Sequence, residues 1–155
     1  MKQTETLKKI LDSFEPYPNL RLMLFSKSWG ELEDAILEFC KEREYQLLVY
    51  KIGEFETPKE VKTKPFNPKQ PKYNQQGRLY NYIFIHYLPE SLESLSKKIF
   101  SSIANGGRVY LLLELSDSWE EIEIFEKNNY VSINKIELDN KSCYTTAKKM
   151  HGWGS

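Results

Sequence analysis

The sequence predicts an α/β fold in three layers, with helices on both faces of a doubly wound, mostly parallel sheet that closes on an antiparallel hairpin edge. Three observations carry this. Strand-length apolar runs alternate with helix-period segments along most of the chain. Those runs are continuous rather than alternating, as strands covered on both faces require. The last two strand-like runs are separated only by a short turn cluster, which joins neighbours antiparallel.

At 155 residues a single domain spanning 1–155 is expected. A domain of this size buries roughly 70% of the surface its unfolded chain exposes and needs no disulfide or metal staple. Cys40 and Cys143 are accordingly expected as reduced thiols, and the spacing of Cys40, His86, Cys143 and His151 lacks the short pairs of a structural zinc site. No metal is expected. The longest apolar runs, such as Val109 to Leu113, are far below bilayer length, and Met1-Lys2-Gln3-Thr4-Glu5 has no apolar signal core behind it. A cytoplasmic protein without membrane contact is the expectation.

Leu7, Ile10, Leu11 and Phe14 recur at helical spacing and predict a short helix that stops before Pro16 and Pro18. Leu20 to Phe25 predicts a buried strand. Ser28 with Glu31 fits a capping box for a helix from about Trp29 to Glu44, whose face is Leu32, Ala35, Ile36, Phe39 and Cys40. Gln46 to Ile52 closes a strand-helix-strand unit, so these two strands are expected to be parallel neighbours. After a changed segment, Leu79 to His86 predicts a further strand. Leu92, Leu95, Ile99 and Ile103 keep helical spacing up to a stop at Asn105-Gly106-Gly107, and Arg108 to Leu115 predicts a central parallel strand. Ser118 with Glu121 makes a second capping box for a helix reaching about Lys127. Val131 to Leu138 and Ser142 to Lys149 form the hairpin around Asp139-Asn140-Lys141.

The segment from Thr57 to Arg78 differs in composition. It holds four prolines and six basic residues against the single acid Glu60, so it carries plus five while the rest of the chain, neutral overall, carries minus five. Its prolines forbid a helix and allow at most a ragged edge strand. Lys62, Lys64, Lys69 and Lys72, interleaved with Phe66 and Tyr73, have the pattern of a nucleic-acid surface, with cations for phosphates and rings for unpaired bases of RNA. The same composition also suits a solvated loop whose lysines keep it soluble.

The run Tyr80-Asn81-Tyr82-Ile83-Phe84-Ile85-His86-Tyr87-Leu88-Pro89-Glu90, then a helix, then Ile103-Ala104-Asn105-Gly106-Gly107-Arg108-Val109-Tyr110-Leu111, resembles the middle of class I S-adenosylmethionine-dependent methyltransferases. Tyr144 to Lys149 resembles their last strand. The resemblance covers residues 79–149, and residues 20–52 in strand-helix-strand outline. It implies a Rossmann-like sheet abbreviated around its third strand, and S-adenosylmethionine as cofactor. Ser26, Ser28, Gly30 and Glu54 would line the cofactor, with His86 and Tyr87 facing the methyl acceptor.

The turn after the first strand departs from the family pattern: Ser26, Lys27, Ser28 and Trp29 precede a single Gly30, and Lys51 stands where an acid would hold the ribose. The expected function is therefore a methyltransferase-like protein with an atypical, impaired cofactor site. The alternative is a nucleic-acid- or protein-binding module that uses residues 57–78. His86, at the carboxyl end of its strand, suits either a general base or a polar residue that caps the following helix region. Trp153 in the tail Met150 to Ser155 is expected to cover the sheet bottom or to anchor a homodimer.

Overall fold

The chain enters through α1 (Lys2–Asp12), passes β1 (Arg21–Ser26), α2 (Glu31–Arg43) and β2 (Gln46–Lys51), and reaches a short β3 (Lys62–Pro65). It continues through β4 (Tyr80–Ile85), α3 (Leu92–Phe100), β5 (Ile103–Glu114), α4 (Glu120–Lys127), β6 (Tyr130–Glu137) and β7 (Ser142–Lys149). This computed structural model describes residues 2–71, 73, 78–114 and 120–150. Ser118, Lys72 and Trp153, for which the sequence carries expectations, lie outside the described residues.

The strands form one sheet in the order β3-β2-β1-β4-β5-β7-β6. β1 is parallel to β2 and to β4, β2 to β3 and β4 to β5, while β7 runs antiparallel to both β5 and β6. This is the predicted architecture. Alternate residues of each strand point to opposite faces. Leu22 and Leu24 of β1 meet Leu7, Leu11, Ile36 and Phe39 of α1 and α2, whereas Met23 and Phe25 meet Leu95, Ile99 and Phe125 of α3 and α4. Both faces of the strand are therefore covered, which is why its apolar run is unbroken.

Several boundaries differ from the sequence expectation, each for a local reason. α1 starts five residues before Leu7. Its first turn is polar because it docks through side-chain hydrogen bonds rather than packing: Gln3 Nε2 donates to Ser142 Oγ at 2.7 Å, and Thr6 Oγ1 donates to the Leu138 carbonyl at 3.4 Å. α2 begins at Glu31 with Gly30 as its N-cap, so the expected Ser28 and Glu31 box is displaced by two residues. Glu33 makes it instead, accepting from Gly30 N at 2.7 Å. Glu121 is likewise engaged elsewhere. It accepts from Thr145 Oγ1 at 3.2 Å and lies 2.8 Å from Lys135 Nζ.

The largest boundary shift is at the end of α3. The helix stops at Phe100, Ser101 is its C-cap, and Ile103 already belongs to β5. Tyr80 pairs with Ile103 and Tyr82 with Arg108, so a step of two along β4 matches a step of five along β5. The extra chain is looped out at the Gly pair. Gly106 has φ 80°, a left-handed conformation that glycine adopts without steric cost.

Both cysteines are free and buried. Burial pushes the Cys40 thiol up to about 12 and raises that of Cys143. The thiolate is the reactive form, so neither residue should react with an aromatic disulfide reagent at about pH 8 until the chain unfolds. Stoichiometric labelling of native protein within minutes would contradict this packing.

Candidate functional site

In an open parallel sheet the ligand crevice opens where the strand order reverses, outside the carboxyl ends of the strands. Here that point lies between β1 and β4, which end at Ser26 and Ile85. Ser26 is 2% exposed, and its hydroxyl folds the turn on itself. Its Oγ donates to the Ser28 carbonyl at 2.7 Å and accepts from Ser28 N at 3.4 Å. Trp29 Nε1 donates to Asp34 Oδ1 at 2.6 Å, so the indole lies back on the first turn of α2. Gly30 has an extended backbone, and a Cβ there would meet Glu33 Oε1 at an ordinary 3.5 Å. Space does not demand glycine at this position.

His86 follows β4, and its side chain is 2% exposed. Phe84 and His86 point to the same face, towards α2 and the hairpin. Its Nδ1 forms a close hydrogen bond with Glu33 Oε2, and its Nε2 lies 2.6 Å from the hydroxyl of Tyr144 on β7. Glu33 is thus held from two sides, by the Gly30 amide and by the imidazole. Burial works to raise its carboxyl pKa, but the hydrogen bond and charge of His86, with the backbone donors, outweigh it and hold the group below its ordinary value. Burial and the Glu33 charge together hold the Tyr144 phenol well above its ordinary value. The result is a buried polar chain from the start of α2 across the sheet to β7.

A cleft of about 330 Å³ lies above this chain, lined by Ser26, Ser28, Gly30, Glu33 and His86, with Thr4 and Gln3 of α1 closing one side. The structure therefore brings together Ser26, Ser28, Gly30 and His86 as the sequence suggested. Tyr87 is 39% exposed, and its ring lies under Lys27 Nζ at 4.5 Å. Glu54 is exposed and lines a different cleft beyond β2 with Lys51, Phe55 and Glu56. Glu33, Tyr144 and Thr4 were missed by sequence reasoning. The Gly30-x-x-Glu33 spacing was a usable signal for the first, since it is a capping-box interval; nothing local marks the other two.

Of the basic segment, Lys62 and Lys69 are exposed and Lys64 half-buried. Tyr73 is fully buried, in edge contact with Phe25 and Tyr50, and Phe66 packs against the same group. Of the two rings expected to stack on bases, Tyr73 is part of the core and Phe66 is half-buried against it.

Among the described residues no helix is long and apolar enough to cross a membrane. No group of three or more His, Cys, Asp or Glu among them is placed to hold a metal ion.

The strand order and the antiparallel β7 define a Rossmann-like methyltransferase fold. Solved structures with this fold include the CurJ carbon methyltransferase, with TM-score 0.71 at 13% identity over 96% of this chain and 54% of that one. The chain spans about half the length of that protein. A Plasmodium falciparum protein assigned as a ribosomal RNA methyltransferase matches with TM-score 0.70 at 12% identity, over 98% of both chains. A TehB-like methyltransferase from Corynebacterium glutamicum matches with TM-score 0.65 at 9% identity, over 93% and 87%. No family model matches the sequence, and no curated protein does. The shared feature is the fold.

Proposed function

We propose that this chain uses the methyltransferase fold as a scaffold, and that its S-adenosylmethionine crevice is impaired so that it transfers no methyl group. The observation that carries the reading is the charge at the ends of the strands that would hold the cofactor. S-adenosylmethionine presents a sulfonium cation and a ribose diol. A site for it needs acceptors for two hydroxyl donors and no excess positive charge beside the sulfur.

At the ends of β1 and β2, Ser26 stands in register with Lys51, and Lys27 follows Ser26. Both cations are held close to these ends by rings, Lys51 over Phe55 at 4.9 Å and Lys27 over Tyr87 at 4.5 Å. An ammonium donates hydrogen bonds and accepts none, so Lys51 is no substitute for a ribose-binding acid. The carboxylate of Glu33 is engaged by Gly30 and His86, and Glu54 is exposed beyond β2 in a cleft that Lys51 also lines, so an ammonium lies beside that acid. These residues do not fit the cofactor. On this reading His86 is a positioning residue, with both ring nitrogens engaged by Glu33 and Tyr144.

Titration calorimetry with S-adenosylmethionine and S-adenosylhomocysteine tests the reading. No saturable heat is expected up to about 1 mM ligand, which corresponds to binding weaker than about −4 kcal/mol. A micromolar dissociation constant for either compound would overturn it and make methyl transfer the primary function.

A further inference from the structure

We infer that the open edge of the sheet at β3 is a phosphate-binding surface for single-stranded nucleic acid, gripped through its backbone and not through its bases. This goes beyond the scaffold reading and does not depend on it. β3 pairs with β2 on one side and is the last strand of the sheet on the other. In the parallel register Leu48 faces Lys62 and Tyr50 faces Lys64, so the two lysines project on one face of the edge. One strand repeat, about 6.6 Å, separates them. That is the order of the spacing between successive phosphates of an extended strand.

Arg78, just before β4, joins them around a cleft of about 220 Å³ whose other walls include Gln46, Tyr73 and Tyr80. Among the described residues three cations and no carboxylate line it. The cleft beside α1 and α2, the crevice at Ser26 and His86 and the cleft beyond β2 each contain at least one carboxylate among the described residues, whereas this one has the charge pattern of an anion site. Exposed Lys69 continues the basic character along the segment that carries plus five in an otherwise acidic chain. A row of cations along a strand edge suits a chain of phosphates better than one isolated anion.

The same geometry limits base recognition. Tyr73 is fully buried and offers no stacking face, and half-buried Phe66 turns one face to Tyr73, which leaves at most one ring face for a base. Affinity should therefore come from counterion release, with little preference among bases.

Fluorescence anisotropy with labelled oligo(U), oligo(A) and oligo(dT) of about 12 nucleotides tests this on the full chain. Three phosphate contacts predict a slope of about −2 for log affinity against log salt, and affinities for the three oligonucleotides within about threefold. The double variant Lys62→Gln/Lys64→Gln should reduce the slope to about −0.7 and weaken low-salt binding at least about tenfold, with an unchanged melting temperature. Lys8→Gln/Lys9→Gln on α1 should leave both quantities as they are. Binding that is absent or insensitive to salt would overturn the proposal, as would an unchanged slope in the Lys62/Lys64 variant. A preference of more than about tenfold for one base would restore base recognition and sink the backbone reading. Competition by inorganic phosphate at the same phosphate concentration as the oligonucleotide would reduce the surface to a single-anion site and also sink it.

Discussion

Gly107→Ala is expected to destabilise the protein by about 3 kcal/mol, near the upper end for overpacking a close-packed interior. A Cβ on Gly107 would lie 2.6 Å from Ile103 Cγ2, 2.8 Å from the Asn81 carbonyl oxygen and 2.9 Å from the Ala104 carbonyl oxygen. Two of these are backbone atoms, and Ile103 is fully buried in the core shared by α3 and α4. None can retreat without moving the junction at which β5 is looped out against β4. With total stabilities of about 5–15 kcal/mol, such a loss leaves a substantial unfolded population at modest urea. Gly106→Ala, at a left-handed backbone position, should lose about 1 kcal/mol from that conformation. Urea unfolding of the two variants compares them directly. A Gly107→Ala midpoint equal to that of Gly106→Ala would show that the junction is not packed in this way.

Glu33→Ala should cost about 3 kcal/mol, because it strands a buried imidazole and the amide of Gly30 together. Tyr144→Phe removes only the bond at His86 Nε2 and should cost about 1 kcal/mol. The effect of Glu33→Ala should shrink in a His86→Ala background, since the partner whose isolation is costly has gone. The pH dependence has a definite sign. The folded-state carboxyl of Glu33 is held below 4.5, so its ionisation stabilises the fold at pH values above that figure. The contribution disappears as pH falls from about 4.5 through the lowered folded-state value. Urea midpoints between about pH 6 and pH 3 should therefore fall more steeply for the parent than for Glu33→Gln. Parallel curves would mean that Glu33 does not carry the acid limb of stability.

Different cations serve the cofactor crevice and the sheet edge. Lys27 lines the crevice at the ends of β1 and β4 and Lys51 the cleft beyond β2, whereas Lys62, Lys64 and Arg78 line the cleft at β3. A chain that bound S-adenosylmethionine and also bound oligonucleotides through Lys62 and Lys64 would overturn the first proposal and leave the second standing.

The order and direction of the elements were legible in the residues because they rest on local periodicity and on the handedness of crossovers. Leu20 to Phe25 reads as a strand covered on both faces, and β1 is such a strand. Ser142 to Lys149 coincides with β7, and Asp139 holds the preceding turn by accepting from Lys141 N and Ser142 N at 2.8 Å. The prolines of the basic segment limited β3 to four residues at an edge, again a property of the chain itself. What failed locally was the helix start at Ser28, where two capping intervals overlap and only one hydrogen bond decides between them.

The site belongs to the tertiary structure. Glu33 is 53 residues before His86 and Tyr144 is 58 after it, so no spacing rule connects them. They meet because β4 and β7 flank β5 and because α2 lays its first turn over the same face of the sheet. Gly107 was legible as a turn residue, but its close approach to the Asn81 carbonyl depends on the neighbouring strand. Tyr73 and Phe66 show the same division. Their chemistry allowed base stacking, and the packing beside β3 decided that Tyr73 is core and that Phe66 lies half-buried against it. By itself the sequence determined which segments become strands and helices and how they connect, since periodicity and turn chemistry act over a few residues. Which polar groups are buried together was decided only when the sheet closed, because burial is a property of contacts between distant segments.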